Sequence, residues 1–212
     1  MLADAAQSFG AKQGNRPVGV LADATAVSFF PTKPLACYGD GGALLTDDDA
    51  RAAIWRTIRV HGIGATRMQA DRPGFTGRLD TLQAAVLLGK LGAFDAELAR
   101  REAISRAYDD GLRGKAQLPA RPTGARSAWA LYTILADDRD RVASALAAAG
   151  VQTGIYYPAP LHAQPAYAAY GDGPGSLPLS EALCRRCLSL PMHPDLSDDE
   201  VARVIDALRA AL

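Results

Sequence analysis

The 212-residue sequence is short of several things, and each shortage excludes a class of function. Its 23 basic residues are matched by 23 acidic ones, a formal net charge of zero, which argues against nucleic acid or an anionic membrane surface as the main partner. No apolar run approaches the roughly 18 to 20 residues of a membrane-spanning helix. The chain does not open with a charged segment followed by an apolar core, so the expected compartment is the cytoplasm. Cysteines number three, Cys37, Cys184 and Cys187, too few for a disulfide framework and suited to a reducing compartment. Cys184 and Cys187 form a C-R-R-C, but it lacks both the strand-then-helix context of a thioredoxin-like motif and the second ligand pair of a zinc site. His61, His162 and His193 have no carboxylate or cysteine at ligand spacing, so no metal is expected. There is no internal repeat and no low-complexity tract.

What is present, 49% hydrophobic and 22% charged residues, makes an ordinary globular chain with material for one large or two small domains. The sequence is organised around the stretch from Asp4 to Thr46, with Lys33 at its centre. Thr25, Val27, Phe29 and Phe30 form a short β-prone run that Pro31 stops, which places Lys33 just past a strand end. In open α/β sheets such positions bind ligands. A lysine amine that is desolvated or set near positive charge can form a Schiff base with an aldehyde. Ser28 precedes it with a hydroxyl for a phosphate, and Asp4 and Gln7 lie upstream. An amine for an aldehyde, a carboxylate for a pyridinium nitrogen and a donor for a phosphate are what pyridoxal phosphate requires. Taken singly each residue has a plainer reading: Lys33 as a surface lysine, Asp4 as a turn or cap residue, Ser28 as a polar residue on the outer face of a half-buried strand. The combination favours the cofactor.

Along the rest of the chain, residues 41–46 read as a strand and Thr46 to Asp49 as a helix start with acidic residues at the positive end of the dipole. Ala50, Ile54 and Ile58 keep one face apolar, and His61-Gly62 ends the helix. Residues 63–77 read as a loop. Leu79 to Leu88 are apolar nearly all round, which predicts a buried helix. In a further helix over 94–113, Phe94, Leu98, Ile104, Tyr108 and Leu112 share one face, so it packs on one side and bridges two domains. The Pro- and Gly-bearing stretch 117–126 is the linker signal, giving expected domains of residues 1–116 and 117–212. Beyond it come a strand over 128–136, a helix over 139–149 stopped at Gly150, a strand over 151–157 and a long loop over 158–178, too long for an idle connector. Ser197 to Glu200 is a capping box, and Val201, Val204, Ile205, Leu208 and Leu212 stripe a closing helix. The class is α/β.

The motifs D-A-A-Q, S-F-F-P-T-K, G-D-G-G-A-L-L-T, R-V-H-G, G-R-L-D-T-L-Q-A-A-V-L-L and Y-P-A-P-L-H, in this order from Asp4 to His162, resemble the DegT/DnrJ/EryC1/StrS family of sugar aminotransferases. The resemblance implies a fold-type I pyridoxal-phosphate-dependent transferase, with part of the large-domain sheet followed by a small C-terminal α/β domain. It implies that Lys33 bonds the cofactor, that Asp4 pairs with the pyridine nitrogen, that Gln7 lies by the ring's phenolic oxygen and that Ser28 contacts the phosphate. The expected substrates are a nucleotide-linked keto sugar and an amino-acid donor, glutamate first, and the expected assembly is a homodimer. His162 resembles a residue near the active-site mouth and is the substrate-side candidate. Two departures stand out. Thr76 occupies the place of an asparagine that donates across the dimer to the partner's phosphate, and Tyr156 replaces a histidine, which bears on substrate choice. Family members carry a long segment before the aspartate, so the chain is expected to be the C-terminal part of a longer enzyme and, by itself, an inactive or partner-dependent fragment. A sugar dehydratase of the same fold is disfavoured, because that branch has histidine where Lys33 stands.

Overall fold

The structure, a computed structural model, describes residues 1–212. They form two compact units, Met1–Ala99 with Pro122–Ala130, and Arg100–Arg121 with Leu131–Leu212.

In the first unit, β1 (Leu2–Asp4), β4 (Ala24–Ser28) and β5 (Gly42–Leu45) make one sheet, and β2 (Lys12–Gln13), β3 (Arg16–Pro17) and β6 (Ala125–Arg126) a second, small antiparallel one. Strand β4 is central. It pairs parallel with β1, Asp4 opposite Ala26, and antiparallel with β5, Ser28 opposite Gly42. Its small and β-branched residues suit a covered strand, and Ala24, Thr25 and Val27 are buried. Buried Thr25 still satisfies its hydroxyl, which donates to the Gly19 carbonyl at 3.4 Å. The core gathers Leu35, Cys37, Leu87, Phe94, Leu98 and Ala128, with Phe9 and Phe29 against it. Phe9 stacks on Phe94 at 5.5 Å and meets Phe29 edge-on at 6.2 Å. The turn after Phe9 needs glycine: Gly10 has φ +93°, and a Cβ there would lie 2.6 Å from Leu98 Cδ1.

Helix α1 (Asp49–Ile58) starts as its acidic signal predicts, with Asp48 accepting from the Arg51 amide at 2.9 Å. His61 and Gly62 then take left-handed conformations, φ 62° and 71°. The stretch after it is more ordered than a loop. Phe75 donates to Ile58 O, His61 to Phe75 O and Gly77 to Arg59 O, so residues 58–61 and 75–77 pair as an irregular hairpin. Helix α2 (Thr81–Leu91) corrects the expectation of a buried helix. Only Leu87 is buried, while Leu82 is 80% and Leu88 73% exposed. All-round apolarity signals that both faces favour cover; it does not say that this chain supplies it. Helix α3 (Phe94–Leu112) belongs to this unit as far as Ala99 and to the second from Arg100.

In the second unit, β7 (Tyr132–Leu135) pairs antiparallel with β8 (Cys187–Leu190), Tyr132 opposite Leu190 and Leu135 opposite Cys187. The hydroxyls of Thr133 and Ser189 lie 2.8 Å apart across the pair. Helices α4 (Arg139–Ala148), α5 (Pro178–Arg186) and α6 (Asp198–Ala211) complete it. Val142 and Leu146 of α4 and Val201, Val204 and Leu208 of α6 are buried. The capping box is present in full, and Gly150 ends α4 region-wise with φ +74°. On α3, Ile104, Tyr108 and Leu112 are buried, and Tyr108 donates to Pro191 O at 2.8 Å. The strand expected over 151–157 is reduced to one bridge, Gly154 with Ser189, since a glycine in a strand interior gives up both entropy and a side chain to pack. A polar network lies beneath β7. Tyr132 donates to Asp109 Oδ1 at 2.6 Å, and Arg121 reaches Asp109, Glu102 at 3.2 Å and the Ser105 hydroxyl at 2.8 Å. Burial first, then the bond to Asp109, pushes the Tyr132 hydroxyl pKa far up. No helix is long and apolar enough to cross a membrane.

Candidate active site

The register of β1 on β4 places two of the sequence candidates together. Because Asp4 pairs with Ala26 and side chains alternate along a strand, Asp4, Ala26 and Ser28 share one face of the sheet. This is the more accessible face, since Thr25 and Val27 on the other are buried. Asp4 is oriented by its own turn: Oδ1 accepts from the Ala6 amide at 2.9 Å, an Asx-type bond. Ala5 prolongs the sheet by donating to Ala26 O, then accepts from Ser8 and Phe9. The resulting turn carries Gln7, which is exposed.

Lys33 sits on the connection from β4 to β5. Its amide donates to Phe30 O at 2.9 Å, and the Phe30 amide donates to Ser28 Oγ at 3.3 Å, so the serine and the lysine turn are linked. The arms of this loop are closed by Phe29, whose carbonyl accepts from both the amide and the thiol of Cys37 and whose amide donates to Gly41 O. Residues 34–37 are buried, whereas Lys33 is half-buried. A flexible side chain therefore projects from a fixed base. An amine, a carboxylate and a hydroxyl are carried by one sheet and the turn that follows it, the donor set for an aldehyde, a protonated ring nitrogen and a phosphate.

His162 lies in the second unit, where its Nε2 is 2.9 Å from Glu181 Oε1. Glu181 also accepts from the Gly175 amide at 2.7 Å. These two bonds, His162 first, hold its carboxyl below the ordinary carboxylate range. Nothing in the sequence signals this pairing, as the partners are 19 residues apart and the glutamate belongs to no motif. Thr76 Oγ1 lies 3.4 Å from His61 Nε2. Cys184 lies in the last turn of α5 and Cys187 begins β8; these and Cys37 are free thiols. No group of three histidine, cysteine or acidic side chains is gathered for a metal.

The α/β arrangement, with a lysine on the turn after a parallel-paired strand, is that of the fold-type I pyridoxal-phosphate-dependent transferases. Within that class the chain belongs to the DegT/DnrJ/EryC1/StrS aminotransferase family, whose family model matches residues 1–209. Over 209 residues it is 42% identical to the UDP-2-acetamido-2-deoxy-3-oxo-D-glucuronate aminotransferase of Pseudomonas aeruginosa, covering 98% of this chain and 57% of that protein. It is 39% identical over 208 residues to the dTDP-3-amino-3,4,6-trideoxy-alpha-D-glucose transaminase of Streptomyces venezuelae, covering 97% and 55%. Among solved structures, a DegT DnrJ EryC1 StrS aminotransferase from Brucella abortus superposes with a TM-score of 0.95 at 45% identity, over 99% of this chain and 56% of that one. The chain thus spans little more than half the length of these relatives.

Proposed function

We propose that this chain carries the lysine-bearing part of a pyridoxal-phosphate-dependent aminotransferase that acts on a nucleotide-linked keto sugar, with an amino acid such as glutamate as donor. The observation that carries the proposal is the placement of Lys33 on the turn that leaves β4, directly after Ser28 and on the sheet that holds Asp4 beside Ala26. The substrate class is supported by the two relatives above, whose names describe UDP- and dTDP-linked sugars.

When bound, the cofactor supplies the aldehyde that takes the amino group and a ring that accepts electrons. The chain's own residues do the rest. The Lys33 amine holds the cofactor and then moves a proton as base and acid. Asp4, with one oxygen engaged by the Ala6 amide, offers the other to keep a ring nitrogen protonated. Ser28 accepts from Phe30 through its oxygen, which leaves its O–H free to donate to a phosphate. Gln7 is assigned to the ring's phenolic oxygen. His162 is assigned to the substrate side, and since Glu181 holds Nε2, Nδ1 is the atom it presents.

The proposed assembly is a homodimer, supported by apolar side chains such as Leu82, Leu88 and Phe75 that remain exposed. The same exposure supports a second reading, a fragment that works only with a partner polypeptide. Three free thiols fit the cytoplasm. The test is to incubate the protein with pyridoxal phosphate, reduce with borohydride and map the modified peptide. Label on Lys33 is expected; label on Lys12, Lys90 or Lys115 overturns the assignment. Amino transfer from glutamate is then assayed on a panel of nucleotide-linked keto sugars, with residues 1–212 alone and with candidate partners, which separates the two readings.

A further inference from the structure

The Lys33 loop is held from a second side, by the helix that carries the motif G-R-L-D-T-L-Q-A-A-V-L-L. Gln83 Oε1 on α2 accepts from the Tyr38 amide at 2.7 Å, across 45 residues of sequence. One turn further along the helix, Leu87 packs in the core with Leu35 and Cys37 of the same loop. Beyond it, Lys90 Nζ stands 4.7 Å over the Tyr38 ring. Gln83, Leu87 and Lys90 are spaced four and then three residues apart, one stripe of a helix. That stripe therefore grips the loop's returning arm by a hydrogen bond, an apolar contact and a cation–π contact. The fit is close, since a Cβ at Gly39 would lie 3.4 Å from Gln83 Nε2.

The departing arm is fixed separately, by the Ser28, Phe30 and Lys33 bonds already described. Between the two arms only residues 34–37 intervene, and all are buried. Tyr38 and Lys33 are thus joined by one packed segment of backbone. Gln83 is the side-chain anchor at Tyr38, between the Cys37 and Gly41 bonds to Phe29 described above, and because its bond is to a backbone amide, no change of side chain at position 38 replaces it.

We propose that Gln83 is a positioning residue for Lys33: by fixing the Tyr38 amide it sets the backbone from which the lysine reaches the cofactor. The inference rests on the reading of Lys33 as the cofactor-bonding lysine. The test compares wild type, Gln83→Ala and Gln83→Glu, the last of which keeps an acceptor oxygen at the same reach. Each is titrated with pyridoxal phosphate, reduced with borohydride and scored by mass spectrometry for label on Lys33, alongside thermal unfolding.

Gln83→Ala should raise the half-saturating cofactor concentration about three- to tenfold, the scale of one lost hydrogen bond, with the melting midpoint near that of wild type. Gln83→Glu should restore it. Label on Lys33 that is indifferent to Gln83→Ala overturns the inference alone. So does a Gln83→Glu protein as impaired as Gln83→Ala, or a loss of labelling that follows the loss of folded protein. A wild-type chain without label on Lys33, both alone and with candidate partners, overturns the underlying reading and this inference with it.

Discussion

Glu181 Oε1 receives the His162 Nε2–H at 2.9 Å and the Gly175 amide at 2.7 Å, so one carboxylate oxygen on α5 ties down both ends of the segment 162–175. Both side chains of this hydrogen-bonded pair are largely covered, at 10% and 18% exposure. The segment contains two short 3₁₀ turns at Leu161–Ala163 and Pro165–Tyr170 and no strand. This carboxylate is the only polar anchor that joins its two ends.

The pH dependence follows from the direction of the Glu181 shift. Its folded pKa is lowered from 4.5, chiefly by His162 and then by Gly175, so the stabilisation is present above the ordinary value and lost as pH falls through the lowered one. Measured against the intrinsic rate at each pH, amide protection over 162–175 should fall below the ordinary carboxylate value while α6 stays protected. Glu181→Ala should show fast exchange in this segment at neutral pH. Protection over this segment in wild type that does not change between neutral and strongly acid pH would contradict the anchoring.

Asp4 offers a second test. It is exposed, and Asn retains an oxygen for the Ala6 amide, so Asp4→Asn should leave the melting temperature almost unchanged. In an assembly that transaminates, it should lower turnover about a hundredfold, the scale seen when a preorganised charge is removed from a developing one. Turnover equal to wild type rejects the role.

Lys33→Ala should abolish borohydride-stable label and amino transfer together, with a far-UV spectrum and oligomeric state like those of wild type. Lys33 is half-buried rather than in the core, so no large cavity follows its truncation.

Tyr132 is wholly buried and donates to Asp109 Oδ1 at 2.6 Å. Tyr132→Phe removes a bond to a charged acceptor while filling nearly the same volume. It should lower unfolding stability by about 2 kcal/mol, read as a shift of the denaturant midpoint without a change of slope.

Gly10→Ala meets two obstacles at once, a backbone at φ +93° and Leu98 Cδ1 at 2.6 Å from the new Cβ. A loss of roughly 1 to 3 kcal/mol is expected, measurable by the same denaturant series.

The features legible in the sequence were those with causes inside one or two turns of chain. The capping box of Ser197 and Glu200, the stripe of α3 and the acidic start of α1 arise from neighbouring backbone groups and from a 3.6-residue period. The motif series from Asp4 to His162 identified the family for the same reason that it could be read at all: its residue types and their order are properties of the string. Tertiary structure decided what depends on which distant segments close on one another. The parallel register of β1 on β4 brings Asp4 and Ser28 to one face, the pairing of β7 with β8 joins Thr133 to Ser189 across 56 residues, and Gln83 finds the Tyr38 amide across 45. None of these has a local signature, because loop closure and side-chain packing select the partner only once the whole unit is assembled. Helix α2 shows the limit most directly: its apolarity is written in the sequence, while the exposure of Leu82 and Leu88 depends on what packs against them.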